Sequence, residues 1–223
     1  MPVSGVTFGG VAAINPYDQM MEGTTLIACQ YDGGVIVGTD TRTSSGALVV
    51  CRTSDKITQV SRYIGVLRSG SSADTQAITD IVKYHINFYE MERGERITVH
   101  AAAQIFRDIS YRYRDDLTAG LIVCGWDRQK GAQIYSIPIG GMILQQSWTV
   151  GGSGSMYVYG YLDSNYKSGM SQEECISFVK KAVAHAINRD ASSGGCVRIA
   201  VINSSGIRRQ LFLGDQVPSM LKH

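Results

Sequence analysis

Gly23-Thr24-Thr25-Leu26-Ile27-Ala28-Cys29-Gln30-Tyr31-Asp32-Gly33-Gly34-Val35-Ile36-Val37-Gly38-Thr39-Asp40-Thr41 is the most sharply patterned stretch of the chain. Thr25 to Tyr31 reads as a strand, Asp32-Gly33-Gly34 as a tight turn and Val35 to Thr41 as the returning strand. Asp-Gly between β-branched runs is a strong hairpin signal. Upstream, residues 1–23 carry Gly5, Gly9, Gly10, Pro16 and Gly23, with Asp18 and Glu22 but no basic residue. No period runs through them, so they read as an extended segment outside the core.

Downstream, strands are predicted at 47–52, 56–60 and 63–68. The period then becomes helical: Ala77, Ile78, Ile81, Val82, His85 and Phe88 form a stripe, capped by Ser71-x-x-Asp74 and stopped at Gly94. A second helix follows Thr98, with Val99, Ala102, Ala103, Phe106, Ile109 and Tyr113 apolar. Strands return at 117–126, 132–140 and 142–150. After the Gly151–Ser155 run two more helices are expected. The second opens on the capping box Ser171-x-x-Glu174 and buries Ile176, Val179, Ala182, Val183, Ala186 and Ile187. A hairpin over Cys196–Asn203 and Ile207–Leu213 ends the pattern. Strands, two helices, strands, two helices, strands is not a βαβ alternation. The order predicts an α+β domain, a four-layer αββα sandwich of two antiparallel sheets between helical layers.

The 223 residues are 44% hydrophobic and 18% charged, which suits one domain with a full core. Lys and Arg number 21 and Asp and Glu 19, giving a formal charge of +2. That balance argues against nucleic acid and acidic membranes as partners. No apolar run approaches the ~20 residues of a membrane span. The first basic residue is Arg42, which argues against a secretory signal. The five cysteines (Cys29, Cys51, Cys124, Cys175 and Cys196) show no C-x-x-C spacing. They read as free, mostly buried thiols of a reducing compartment, with no zinc-ligand spacing.

Familiar nucleophile motifs fail. Gly151-Gly152-Ser153-Gly154-Ser155 lacks the last Gly of G-x-S-x-G, and no Walker lysine or complete dinucleotide fingerprint occurs. His85, His100, His185 and His223 give no anchor for a Ser-His-Asp triad. Attention falls on Gly23-Thr24. Were that bond cut, Thr24 would carry a hydroxyl nucleophile and a free α-amine on one residue. Such an amine has an ordinary pKa of about 7.7–8.0, so it can accept a proton near neutrality. Gly23, with no side chain, leaves its carbonyl open to close approach.

Thr24-Thr25-Leu26, Gly38-Thr39-Asp40-Thr41-Arg42, Ser54-Asp55-Lys56-Ile57, Arg68-Ser69-Gly70-Ser71-Ser72-Ala73-Asp74, Gly152-Ser153-Gly154-Ser155 and Arg189-Asp190-Ala191-Ser192-Ser193-Gly194-Gly195 occur in that order. Together, over about residues 24–218, they resemble the catalytic beta subunits of the 20S proteasome, nearest the caspase-like beta-1 type. The resemblance implies an N-terminal nucleophile hydrolase fold over 24–223, behind a propeptide of residues 1–23 removed autocatalytically at Gly23-Thr24. It implies a threonine endopeptidase, made as a zymogen, that cleaves after acidic residues. Thr24 would be the nucleophile, and Asp40 with Lys56 the buried pair beside it. Ser153, Asp190 and Ser193 would orient the amine and a water. Gly70 would supply the oxyanion N–H, and Arg68 would sit in the substrate pocket with Thr43 and Ser54 as walls. No cofactor or metal is implied. The implied partners are other beta subunits, alpha-subunit rings, assembly chaperones and unfolded polypeptide substrates, in cytoplasm and nucleus. The helix surfaces and Val217–His223 are the candidate interfaces.

The chemistry fits those assignments. A lysine charge near Thr24 lowers the cost of an alkoxide and disfavours a second ammonium, and Asp40 compensates the buried cation. N–H groups at a helix start, after Gly70, stabilise anions. An arginine at 68 suits a substrate carboxylate. Two rivals remain at this level: a structural barrel subunit that never matures, and an amidohydrolase using the same nucleophile on a small amide.

Overall fold

The computed structural model describes residues 23–45 and 48–218. The expectations for residues 1–22, for Ala47 and for the chain beyond Pro218 lie outside the described residues. The opening hairpin is formed by β1 (Leu26–Tyr31) and β2 (Gly34–Asp40), paired antiparallel from Leu26–Thr39 to Tyr31–Gly34. A short ribbon follows, β3 (Thr43–Ser45) with β4 (Leu48–Cys51). Next come β5 (Ile57–Ser61), β6 (Ile64–Gly70), α1 (Ser72–Arg93) and α2 (Val99–Arg112). Then β7 (Ala119–Asp127), β8 (Gly131–Ile137), β9 (Leu144–Gln145) and β10 (Trp148–Gly151) lead through a 3-10 turn to α3 (Tyr159–Asn165) and α4 (Gln172–Arg189). The hairpin β11 (Val197–Asn203) and β12 (Gly206–Phe212) completes the order.

Two five-stranded antiparallel sheets result, ordered β10-β1-β2-β11-β12 and β5-β6-β7-β8-β9. Alternation along each strand feeds two cores at once. In β1 and β2, Leu26, Ala28, Val35 and Val37 face the second sheet and meet its Ile122, Cys124 and Ile134. Ile27, Cys29 and Ile36 face the other way, onto Val179, Ala182 and Val183 of α4. Leu121 and Val123 of β7 point to Ile78, Val82 and Phe106 of α1 and α2. The layers are therefore helix, sheet, sheet, helix, as the element order predicts. Gly38 permits the tight packing of α4, because a Cβ there would overlap the Val179 side chain.

Three readings need correction. The single strand predicted over 142–150 is two strands in different sheets. The Gln146 N–H still bonds Ile134 O in the second sheet, whereas Ser147 O already accepts the Gln30 N–H in the first. The polar Gln145-Gln146-Ser147 run marks that crossover, but no Gly or Pro breaks the strand there, so pattern alone hides it. On α1, the exposed side holds Ala77, Ile81, His85 and Phe88, while Thr75, Thr79 and Ile86 join Ile78 and Val82 in the core. The two threonines can be buried because their hydroxyls bond Ser71 O and Thr75 O within the helix. On α2, Tyr113 is the half-exposed C-cap, and Ser110 takes the buried position.

All five cysteines are free; Cys29, Cys124 and Cys175 are buried. Burial pushes the thiols of Cys29 and Cys124 well above their usual range and that of Cys175 to about 12. Among the described residues no helix is long and apolar enough to cross a membrane.

Candidate active site

One end of the sandwich gathers polar groups that are far apart in sequence. Thr24 stands just before β1 and is 2% exposed. Asp40 ends β2 in the first sheet, and Lys56 precedes β5 in the second, so their pairing bridges the two sheets. Lys56 Nζ lies 2.8 Å from Asp40 Oδ1, and both side chains are buried. The same ammonium donates to Thr24 Oγ1 at 3.1 Å and to Gly23 O at 3.0 Å. Asp40 is fully engaged: Oδ1 also accepts the Thr25 N–H, and Oδ2 accepts the N–H groups of Arg42 and Gly194. Four donors offset the cost of burying that carboxylate.

A second chain of hydrogen bonds reaches Thr24 from its nitrogen. The Thr24 N–H donates to Ser153 Oγ at 3.1 Å, and Ser153 Oγ donates to Asp190 Oδ2 at 2.7 Å. Ser193 Oγ donates to the same oxygen at 2.6 Å. Its one proton thus used, Ser193 accepts from Thr25 Oγ1 at 2.8 Å. Asp190 caps the C-terminus of α4. Burial raises its pKa, but hydrogen bonds from Ser193, Ser153 and the Ser192 N–H, with the charge of Lys56, outweigh that and hold it below the ordinary carboxylate range.

The loops fit because of glycine. A Cβ on Gly152 (φ +80°) would overlap the Thr24 carbonyl, one on Gly154 would overlap Thr25 Oγ1, and one on Gly23 would overlap Ser192. Gly70 ends β6 at φ +100°, directly before Ser71, the N-cap of α1, and a Cβ there would overlap Thr118 O. Gly70 and Thr24 line a cavity of about 110 Å³ together with Thr43, Ser54, Asp55 and Arg68. Thr43 Oγ1 and Ser54 Oγ are 2.6 Å apart. Arg68 enters this wall with its N–H on Lys56 O and Nη2 on Asp55 O. All eleven residues singled out from the sequence thus converge at one end of the fold. The three described histidines, on α1, α2 and α4, take no part in this hydrogen-bonded set, and no cluster fit for a metal occurs among the described residues.

A family profile described as "Proteasome subunit" matches residues 20–202. The chain belongs to the proteasome beta subunits. It is 46% identical over 201 residues to a proteasome subunit beta type-9 of Mus terricolor, covering 90% of this chain and 91% of that protein. It is 43% identical over 196 residues to a proteasome subunit beta type-6 of Dictyostelium discoideum, covering 88% and 92%. To a beta type-6 subunit of Arabidopsis thaliana it is 45% identical over 195 residues, covering 87% and 84%.

This beta subunit also uses residues that the sequence did not single out for the site. Thr25 ties both networks together, through its N–H to Asp40 and its hydroxyl to Ser193. Arg42 reaches Ala191 O, and its guanidinium occupies the space beside Gly194. The doubled Thr24-Thr25 and the Asp40-x-Arg42 spacing were the available signals.

The depressed Asp190 acid has a consequence for pH. Its folded pKa lies below the unfolded value of about 3.9, so its stabilisation is present above that value and is lost as pH falls through the folded one. Thermal melts of wild type and Asp190→Asn in assembled particles should differ by a constant gap from about pH 8 to pH 5, closing below about pH 4. A gap that closes on the alkaline side would contradict this.

Proposed function

We propose that this subunit is a threonine endopeptidase of the proteasome core, made as a precursor, that cleaves peptides after acidic residues. The observation that carries the reading is the triple role of Lys56, whose buried ammonium meets Asp40, Thr24 Oγ1 and Gly23 O at once. In the uncut chain the Thr24 nitrogen is an amide and cannot accept a proton. Lys56 polarises the Gly23 carbonyl and favours negative charge at Thr24 Oγ. Attack by that oxygen on the Gly23 carbonyl carbon breaks the C–N bond as the nitrogen takes a proton. An ester remains, and water hydrolyses it, releasing residues 1–23 as the propeptide and leaving 24–223 as the mature domain.

Maturation changes the nitrogen from donor to base. The Thr24 amine, held by Ser153 and through it by Asp190 and Ser193, takes the hydroxyl proton directly or through water as Oγ attacks a substrate carbonyl. The Gly70 N–H faces the developing oxyanion. The amine returns the proton to the leaving nitrogen, and water hydrolyses the acyl-enzyme. Arg68 receives the carboxylate side chain on the acyl side of the cut bond, with Thr43 and Ser54 as walls. The subunit works beside other beta subunits and alpha rings, assembled with chaperones, on unfolded polypeptides in cytoplasm and nucleus.

The test is peptide turnover by assembled particles carrying wild type or Thr24→Ala. Turnover after acidic residues should disappear in the variant while cleavage after other residues continues. Equal acidic turnover in both would leave this chain a structural subunit.

A further inference from the structure

Arg68 shares its cavity with an acid. Asp55 lines the same wall and gives Arg68 Nη2 its backbone oxygen at 2.9 Å. A free carboxylate at that place would repel a substrate carboxylate and offset the charge of Arg68. Two arginines from the opposite sheet meet it instead. Arg209 on β12 places Nη1 2.7 Å from Asp55 Oδ2, and Arg198 on β11 places Nε 3.5 Å from Oδ1. The same pair holds the backbone on either side, Arg209 Nη2 on Ile57 O at 2.8 Å and Arg198 Nη2 on Thr53 O at 3.4 Å. Asp55 Oδ1 also accepts the Ile57 N–H. The segment so fixed contains both carbonyls that hold Arg68, those of Asp55 and Lys56. The side chains of Arg198 and Arg209 are 17% and 33% exposed and that of Asp55 42%, so salt partly screens the contact.

We propose that Arg209, with Arg198, is a positioning residue for acid selectivity: it neutralises Asp55 and pins residues 53–57, so that the charge of Arg68 acts on the substrate. The inference rests on the peptidase reading, with Arg68 as the acid-binding residue. Neither arginine touches the reacting atoms, so the effect belongs in substrate binding.

Assembled particles carrying Arg209→Gln, Arg209→Lys or the double change Asp55→Asn with Arg209→Gln are compared with wild type. The substrates are two peptides differing only in glutamate or leucine before the cut bond. Arg209→Gln is expected to raise KM for the glutamate peptide about fivefold, as loss of one half-exposed pair allows. Its kcat and the leucine KM should stay within about twofold. Arg209→Lys keeps the charge and should recover most of the loss, as should the double change, which removes the unpaired acid. Equal KM changes on both peptides, a fall in kcat alone, or no change would overturn the proposal. Should Arg209→Gln not enter particles, Arg198→Gln gives the same reading. Arg68→Ala is run in parallel. If wild type shows no glutamate preference and Arg68→Ala alters nothing, the peptidase pocket itself is wrong; a preference lost in Arg68→Ala but kept in Arg209→Gln refutes the positioning role alone.

Discussion

Lys56→Met is expected to lower turnover after acidic residues by about a thousandfold and to stall cleavage at Gly23-Thr24. Methionine keeps most of the stem's length and removes the charge. Three contacts vanish together: to Asp40 Oδ1, to Thr24 Oγ1 and to Gly23 O. Loss of one preorganised donor at developing charge typically costs 10²–10³ in rate, roughly the size expected here. Asp40, 0% exposed, also loses its only salt-bridge partner among the described residues. Breaking a buried pair from one side costs about 3–5 kcal/mol, so lower subunit stability should accompany the rate loss. Lys56→Arg should not rescue it, because a planar guanidinium cannot reach three oxygens as a point charge does. Single-turnover rates and the extent of processing, measured on particles with confirmed incorporation, check both effects. Near-normal turnover in Lys56→Met would remove Lys56 from the chemistry.

Arg68→Ala is expected to cut kcat/KM for a glutamate peptide by at least about thirtyfold, the scale for truncating one side of a buried charge pair. A leucine peptide should lose little. Arg68 holds its own segment through backbone as well as side chain, so the main-chain bond to Lys56 O should survive the truncation. Steady-state constants on the two peptides measure the change in preference. A parallel loss on both would mean that Arg68 supports the wall without reading the substrate.

The sequence carried the fold because its strong signals are local. The Asp32-Gly33-Gly34 turn, the Ser71, Thr98 and Ser171 caps and the Gly94 stop each act within a few residues, and the structure has them all. Signals that depend on a partner elsewhere were hidden. The change of sheet between Gln146 and Ser147 is set by Ile134 and Gln30, not by any local breaker. The α1 stripe was misplaced because apolarity favours Ile81 and Phe88, whereas threonines that satisfy their own hydroxyls occupy the buried face.

The site was legible in a different way. Its contacts join residues 129, 154 and 168 positions apart, so no spacing rule finds them. Lys56 alone reads as a surface lysine and Ser153 as a turn former; only the ordered set of motifs assigned them together. Thr25 and Asp55 were quoted within those motifs, yet their part shows only once Asp40, Ser193 and the two arginines close around them.

On the proposed mechanism, Thr24 becomes an N-terminal nucleophile by cutting its own chain. The intact mass of this subunit, taken from assembled particles, tests it most directly. A chain beginning at Thr24 in wild type, with residues 1–23 retained in Thr24→Ala, is the expected result. A wild-type chain that keeps residues 1–23, or is trimmed elsewhere, would leave Thr24 without a free amine and rule out its role as an N-terminal nucleophile.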